Sequence, residues 1–359
     1  MTSYTWPRAI LHLDMDAFFV NVHILDNPVH AQLPLVVGGQ PDQRGVVSSA
    51  SYEARKMGIH SAMPTSRAVR ICPSLLVVPA NWSRIKECSG QVMEVLAKFG
   101  PLEQMSVDEA YVDLTEQVEP RKTAAQIRTA VKEATQLPCS VGLATSKLVA
   151  KIASDYEKPE GLTIVPPGSE REFLTPLPIR AILGIGPRTA ERLAEHHIET
   201  CGQLASADES LLKASFGRQA IELILRARGI DGRPVQVERR PAKSISQEWT
   251  FSKDISDPVV LLGQLRKMCA RVANSLQRHN LIAHTVTVKF RWADFTTFTR
   301  QKSVNVGIDL EEDIARLAIA IWKQNWTRGQ RIRLLGVGVS NLEKSSVRQL
   351  GFNFEHTQE

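Results

Sequence analysis

The chain has 359 residues, 43% of them hydrophobic, five cysteines and a net charge of +6. That length and apolar content suit a folded chain of about two to four domains and exclude a disordered one. No run reaches the roughly 18–20 apolar residues of a membrane span. The start, Met1 to Arg8, lacks the apolar stretch of a signal peptide. Cys72, Cys88, Cys139, Cys201 and Cys269 form no C-x-x-C pair, which argues against structural zinc or a disulfide framework and for a reducing cytoplasm.

In chain order, Ile10-Leu11-His12-Leu13 is a short apolar run that ends in Asp14-Met15-Asp16 and reads as a buried strand. Leu35-Val36-Val37, stopped by Gly38-Gly39, and Val46-Val47 read as two more. Ser51 to Met57 opens as a helix and stops at Gly58. Ile85, Cys88, Val92, Val95, Leu96 and Phe99 have helical spacing, ended by Gly100-Pro101. Met105 to Leu114 alternates like a strand yet contains the adjacent carboxylates Asp108 and Glu109. A helix is predicted over 123–135, a strand over Cys139 to Ala144, and a capped helix over Ser146 to Tyr156 that carries Lys147 and Lys151. Lys158-Pro159-Glu160-Gly161 is a turn. Loosely alternating strands and helices give this first part an α/β or α+β character.

Pro166-Pro167-Gly168 marks a boundary, and roughly 170–235 reads as helical. Arg239-Arg240-Pro241-Ala242-Lys243 is a basic linker. Beyond it lie a strand (Ser246 to Lys253), a helical stripe from Val259 to Leu276 and a long alternating strand (Ile282 to Trp292). Its hairpin partner (Phe295 to Val304) joins through Ala293-Asp294; a second stripe from Ile314 to Trp322 and a strand around Leu335 to Val339 follow. This βαββαβ order is a split βαβ arrangement. Charge is unevenly spread. Residues 232–344 carry 19 Lys and Arg against 10 Asp and Glu, whereas 1–231 carry 24 against 26. A basic module of this kind is the footprint of polyanion binding, against the plainer alternative of a solvated basic surface.

Several constellations carry chemistry. Asp14-x-Asp16 at a strand end places two carboxylates on one face, where they suit a hard cation such as Mg²⁺. Asp108 and Glu109 are adjacent, so a regular strand would aim them apart; a turn would bring them together. Charged groups in a mostly apolar run need a partner or a metal, and with Asp14 they make the acidic cluster of a two-metal phosphoryl-transfer site. Tyr52 and Arg55 share a helix face behind the hydroxyls of Ser48, Ser49 and Ser51, a set that suits a phosphate chain as well as an ordinary capped helix. Leu183-Gly184-Ile185-Gly186, read as a hairpin between two helices and followed by Pro187 and Arg188, lets backbone amides approach a DNA phosphate. Phe18-Phe19 beside Asp16 reads as two core rings unless context promotes one.

Four motifs occur in register: Leu13-Asp14-Met15-Asp16-Ala17-Phe18-Phe19, Ser51-Tyr52-Glu53-Ala54-Arg55-Lys56, Ser106-Val107-Asp108-Glu109-Ala110-Tyr111, and Lys151-Ile152-Ala153-Ser154-Asp155 with Lys158-Pro159. With the hairpin and the basic module, the chain from about residue 9 to 342 resembles the Y-family DNA polymerases, most closely those of the DNA polymerase IV (DinB) type. The resemblance implies a right-hand polymerase, an α+β multidomain enzyme. Its palm would be 1–16 and 80–168, its fingers 17–79, its helix-hairpin-helix thumb 169–236, its linker 237–242 and its little finger 243–342. It further implies that Asp14, Asp108 and Glu109, helped by the Met15 carbonyl, hold two Mg²⁺ ions, Mn²⁺ being the alternative. Ser49, Tyr52, Arg55 and Lys158 match triphosphate-binding positions. Phe19 matches a steric gate against the ribose 2′-hydroxyl. Gly184, Gly186 and Arg188 would meet DNA. Gln349, Leu350, Phe352 and Phe354, in the tail 343–359, resemble a sliding-clamp-binding peptide.

The activity so implied is error-prone, template-directed addition of deoxynucleotides to a primer–template, with translesion bypass in DNA repair and no proofreading exonuclease, by a cytoplasmic monomer. His23, Ser51 and Glu160 depart from the common pattern. Two other readings stand beside this one. A haloacid-dehalogenase phosphatase also carries D-x-D after an apolar strand, but has Thr or Val where Phe18 stands. A non-catalytic DNA-binding protein leaves Asp108-Glu109 unexplained.

Overall fold

A computed structural model of the chain describes residues 5–238 and 241–345. The tail motif at 349–354 lies outside the described residues. The chain forms two compact units, one of Met1–Gly39 with Val46–Arg239 and one of Gln40–Gly45 with Arg240–Glu359.

The first unit starts at β1 (Ile10–Met15), whose six residues are all buried. The chain then leaves through α1 (Phe18–Asp26), β2 (Leu35–Gly38), β3 (Val47–Ala50), α2 (Tyr52–Lys56), α3 (Thr65–Ile71) and β4 (Leu76–Val78). These strands make a separate sheet in the order β3-β2-β4, with a small core of Val36, Val47, Ala54, Ile59 and Ala68. The chain returns through α4 (Trp82–Leu96), β5 (Leu102–Gln104), β6 (Glu109–Asp113), α5 (Pro120–Thr135), β7 (Cys139–Ala144), α6 (Lys147–Tyr156) and β8 (Leu162–Ile164). The resulting five-stranded sheet has the order β5-β6-β1-β7-β8. β1 runs antiparallel to both neighbours, which removes the phosphatase reading. That chemistry rests on a parallel sheet with its carboxylates at a crossover.

Helices cover both faces of this sheet, so β1 reads as a continuous apolar run. Its side chains nevertheless alternate. Leu11, Leu13 and Met15 enter a core with Ile85, Val92, Leu96, Ile127 and Val131. Ile10 instead joins Ala144, Leu148 and Ile152, beneath α6. His12 and Asp14 are in phase with Ile10 and so share the α6 face. Gly142 of β7 sets how close α6 comes. A Cβ there would lie 2.1 Å from the Ala150 carbonyl oxygen and 2.4 Å from the Ser154 nitrogen. The run read as one strand from Met105 to Leu114 divides: Met105 to Asp108 is the turn between β5 and β6, and β6 opens at Glu109.

Next come α7 (Glu170–Leu174), α8 (Pro187–Ala194), α9 (Cys201–Ala205), α10 (Glu209–Phe216) and α11 (Gln219–Ala227). They pack on Leu174, Ile182, Leu193, Leu204, Leu212 and Ile224. Two sequence readings change here. The element before the glycine hairpin is only the 3₁₀ turn Ile179–Ala181, because Pro176 and Pro178 exclude a longer helix. The helical stretch also stops at Ala227, ahead of Gly229 with φ +81°. The chain beyond is held by side chains instead: Arg8 donates to the carbonyls of Asp231 and Arg233, and the Gln236 N–H donates to Glu103.

The second unit holds β9 (Ser244–Ile255), α12 (Pro258–Arg278), β10 (Leu281–Trp292), β11 (Thr297–Ile308), α13 (Glu311–Asn325) and β12 (Ile332–Lys344). The sheet order is β11-β10-β12-β9. β12 separates β9 from β10, and β10 separates β11 from β12, so each βαβ unit is split by a strand of the other. Val286, Val288, Phe290, Val337 and Val339 face α12 and α13. The hairpin link is longer than read: it runs from Ala293 to Thr296, with Phe295 at φ +69°. Among the described residues no helix is long and apolar enough to cross a membrane.

Candidate active site

The register of β1 on β6 places Asp14 opposite Glu109. Asp108 sits one residue earlier, in the turn, and its carbonyl accepts the Met15 N–H at 3.0 Å. The turn is tied by Ser106, whose Oγ accepts the N–H groups of Asp108 and Glu109 at 3.1 and 3.0 Å and donates to the Asp108 carboxylate. Asp108 therefore leaves the strand pleat, which removes the opposition of faces that a regular strand imposes.

Two ammonium groups lie against these acids. Lys151 of α6 reaches Glu109 at 2.5 Å and Asp14 at 3.1 Å. Lys158 reaches Asp14 at 2.6 Å and Asp155 at 2.9 Å. Burial opposes the charged form of Asp14, yet the Lys158 and Lys151 cations prevail and hold its carboxyl below the usual carboxylate range. Glu109 moves the other way: burial, then the neighbouring Asp14, lift it above the usual range against the pull of Lys151.

Asp16 does different work. Its carboxylate accepts from the Ser140 hydroxyl (2.9 Å), the Glu160 N–H (2.8 Å) and the Tyr52 hydroxyl (3.2 Å). It shares no hydrogen-bond partner with Asp14. The strand ends at Met15 and Ala17 turns at φ +40°, so the expected i, i+2 pair splits into one acid toward β6 and one toward β7. The Tyr52 bond ties α2 to the acidic end of the sheet. Burial and Asp16 push the Tyr52 hydroxyl well above its ordinary value. The Arg55 guanidinium lies 4.8 Å from the centre of the Tyr52 ring. Ser49 is in β3, opposite Val37, rather than at the helix start. Ser51 caps α2, and its hydroxyl also links to Leu35 N–H and the Leu33 carbonyl.

The model of the impB/mucB/samB family matches residues 13–155, its C-terminal-domain model matches 242–352, and that of the IMS family HHH motif matches 167–198. Relatives include the DNA polymerase IV of Methanoculleus marisnigri, 42% identical over 96% of this chain and 97% of that protein. The DNA polymerase IV of Bacillus anthracis is 37% identical over 97% of this chain and 86% of its own. A solved Y-family DNA polymerase chimera of Dbh and Dpo4 superposes with a TM-score of 0.83 at 29% identity, covering 94% of this chain and 99% of that one. The chain belongs to the DNA polymerase IV group of Y-family DNA polymerases.

It is accordingly a DNA-directed DNA polymerase with the right-hand architecture of that family. In this polymerase Phe18 is core and Phe19 is half-buried at the start of α1, with Trp82 edge-on at 5.4 Å. Gly184 adopts φ +95°, and Gly186 caps α8, in which Arg188 is exposed. His23 pairs with His30 at 2.9 Å. Glu160 occupies φ +55°, a conformation Asn tolerates better. In the sequence Lys151 lies on a predicted helix with no assigned role, and His12 belongs to an apolar run. The available signal was burial: a Lys or His on the covered face of a sheet requires a partner.

The donors fit a hard divalent ion. The carboxylates of Asp14 and Glu109 face one another at one sheet end beside the Lys151 and Lys158 cations, and Asp108 follows in the adjoining turn with its carboxylate on Ser106. Among the described residues no three acidic, His or Cys side chains are grouped closely enough to hold an ion between them. Mg²⁺ does not need such a group, because it is commonly held by one or two carboxylates together with substrate phosphates.

Proposed function

We propose that this chain extends a primer 3′ end with deoxynucleoside triphosphates under direction of a template, including past damaged bases, through two Mg²⁺ ions held by Asp14, Asp108, Glu109 and the Met15 carbonyl. Mn²⁺ is the alternative ion. The observation that carries the reading is the Asp14–Glu109 pairing, with Asp108 in the adjoining turn and two lysines set against the pair. When bound, the ions supply a lowered pKa at the primer hydroxyl and charge stabilisation on the triphosphate.

The chain's own residues do the rest. Asp14 stays ionised, so it is a permanent anionic anchor. Lys158, Arg55, Tyr52 and Ser49 bind the triphosphate, with Lys158 exchanging Asp14 for a phosphate oxygen. Asp16 does not bind metal; it fixes Tyr52 and the turn that bears Lys158. Phe19, braced by Trp82, lies beneath the sugar and rejects a ribose 2′-hydroxyl. Gly184, Gly186 and Arg188 hold the duplex backbone, and the basic second unit binds duplex phosphates as well. The palm, fingers, thumb and little finger take the boundaries inferred from the sequence. The polymerase works as a cytoplasmic monomer, without a proofreading site, and engages a sliding clamp through Gln349, Leu350, Phe352 and Phe354.

Primer extension with Mg²⁺ tests the core of this reading. Asp108→Ala and Glu109→Ala are each expected to lose roughly a thousandfold in rate, about 4 kcal/mol of transition-state stabilisation, while duplex binding persists. Wild-type binding without extension would leave the DNA-binding reading in its place. Phe19→Ala is expected to admit ribonucleotides while retaining deoxynucleotide addition.

A further inference from the structure

Trp82 is 54% exposed at the first position of α4. Among the described residues its ring meets one other aromatic ring, that of Phe19, edge to face with centroids 5.4 Å apart and planes at 74°. Phe19 is half-buried where two cores join. It packs against the core that holds Leu13 and Met15 and against the one that holds Leu35, Val37 and Val78. Ala80, in the link from β4 to α4, packs against the same two cores. The returning chain thus sets Trp82 against the part of Phe19 that the cores leave uncovered.

The first turn of α4 holds α1 at two points. The Asn81 side chain caps the turn, accepting the Arg84 N–H at 3.3 Å. Arg84 then reaches Asp26, the last residue of α1, at 3.2 Å. Phe19 and Asp26 are seven residues apart and so share one face of α1. The two contacts differ in kind. The Arg84–Asp26 pair is exposed, and such pairs contribute little. An edge-to-face ring pair is directional and contributes beyond the area it buries. It also bears on what a gate requires. Phe19 has other staggered rotamers to move into, and an apolar pocket that adapts rejects an added hydroxyl only weakly. A ring excludes a 2′-hydroxyl by overlap only while it is kept from turning away.

We propose that Trp82 is a specificity-determining residue: its edge-on contact keeps the Phe19 ring in place and so sets how strongly ribonucleotides are rejected. This rests on the reading of Phe19 as the gate. The test is primer extension by the full chain with Mg²⁺, using a deoxynucleoside triphosphate and its ribonucleotide counterpart opposite one template base. The readout is the ratio of the two kcat/KM values in wild type, Phe19→Ala, Trp82→Ala, Trp82→Phe, Arg84→Ala and the double variant Phe19→Ala with Trp82→Ala. The ratio is internal to each variant, so a smaller folded fraction cancels from it.

Trp82→Ala is expected to lower the ratio about tenfold, the upper end of what one aromatic pair contributes. The change should come from faster ribonucleotide addition, with deoxynucleotide kcat/KM within about threefold of wild type. Trp82→Phe should keep the ratio within about threefold and Arg84→Ala within about twofold. In the Phe19→Ala background, removing Trp82 should change nothing further. Discrimination lost in Phe19→Ala but kept in Trp82→Ala overturns the proposal alone. So does a Trp82→Phe ratio no better than that of Trp82→Ala, since an aromatic edge would then not be what holds the gate. An equal loss in Arg84→Ala would assign the effect to the seating of α1 as a whole, and additive losses in the double variant would make Trp82 act without Phe19; either overturns it. A Phe19→Ala variant that discriminates like wild type would remove the gate reading itself, and this proposal with it.

Discussion

The two large sheets of this chain solve opposite problems. The five-stranded sheet is covered on both faces, and its central strand buries His12 and Asp14 among Leu11, Leu13 and Ile10. Among the described residues of its own unit, the four-stranded sheet is covered by helices on one face only. Phe290 and Val288 face its helices, while Lys289 and Arg291 look the other way. In the first sheet a charged residue is costly unless paired, so charge marks chemistry. In the second, charge on the open face is ordinary for one residue and informative only as a surface, which suits sequence-independent contact with phosphates.

Glycine substitutions separate the two most sharply. Gly142→Ala would drive a methyl group into the backbone of α6, which has nowhere to go without moving Lys151 and Ser154. We expect a loss of about 3 kcal/mol or more in denaturant unfolding, with primer extension lost alongside. A variant as stable and active as wild type would show that α6 is not seated by this contact. Next in size, Lys289→Ala combined with Arg291→Ala should weaken duplex binding and reduce its log–log salt slope by roughly two. Melting should stay unchanged, and an unaltered slope would show that this face does not meet phosphate.

Smaller effects test the backbone. Glu160→Asn relieves a left-handed conformation at φ +55° but gives up the exposed Lys132 pair. Stability should rise by about 0.5–1 kcal/mol, read as a shifted denaturation midpoint; a fall would mean the ion pair outweighs the strain. Smallest is Gly338→Ala, the counterpart of Gly142 in the open sheet. Its added Cβ meets only the side chain of Ser246 at 3.2 Å and more distant atoms of Ile245 and Ser246. The unfolding free energy should change by less than about 0.5 kcal/mol. A large loss there would erase the contrast between a covered and an open sheet.

The amino-acid sequence by itself determined the family and many of the elements, though not α1, α3, β4 or β8. Apolar runs, helical stripes and glycine or proline stops are local, and the motifs at Asp14, Tyr52, Asp108 and Lys158 are contiguous. It determined the βαββαβ module for the same reason: each strand there alternates and each helix carries one stripe. Only the tertiary structure decided that Asp16 serves Ser140 and Tyr52 rather than standing beside Asp14, since a single left-handed residue at Ala17 redirects the chain. It also decided that the strand predicted from Met105 begins only at Glu109, which leaves Asp108 in the turn at the end of the sheet. Lys151 gained its acidic partner in the same way. Glu109 lies 42 residues away, and no local pattern encodes a contact made by laying α6 directly on the glycine of β7.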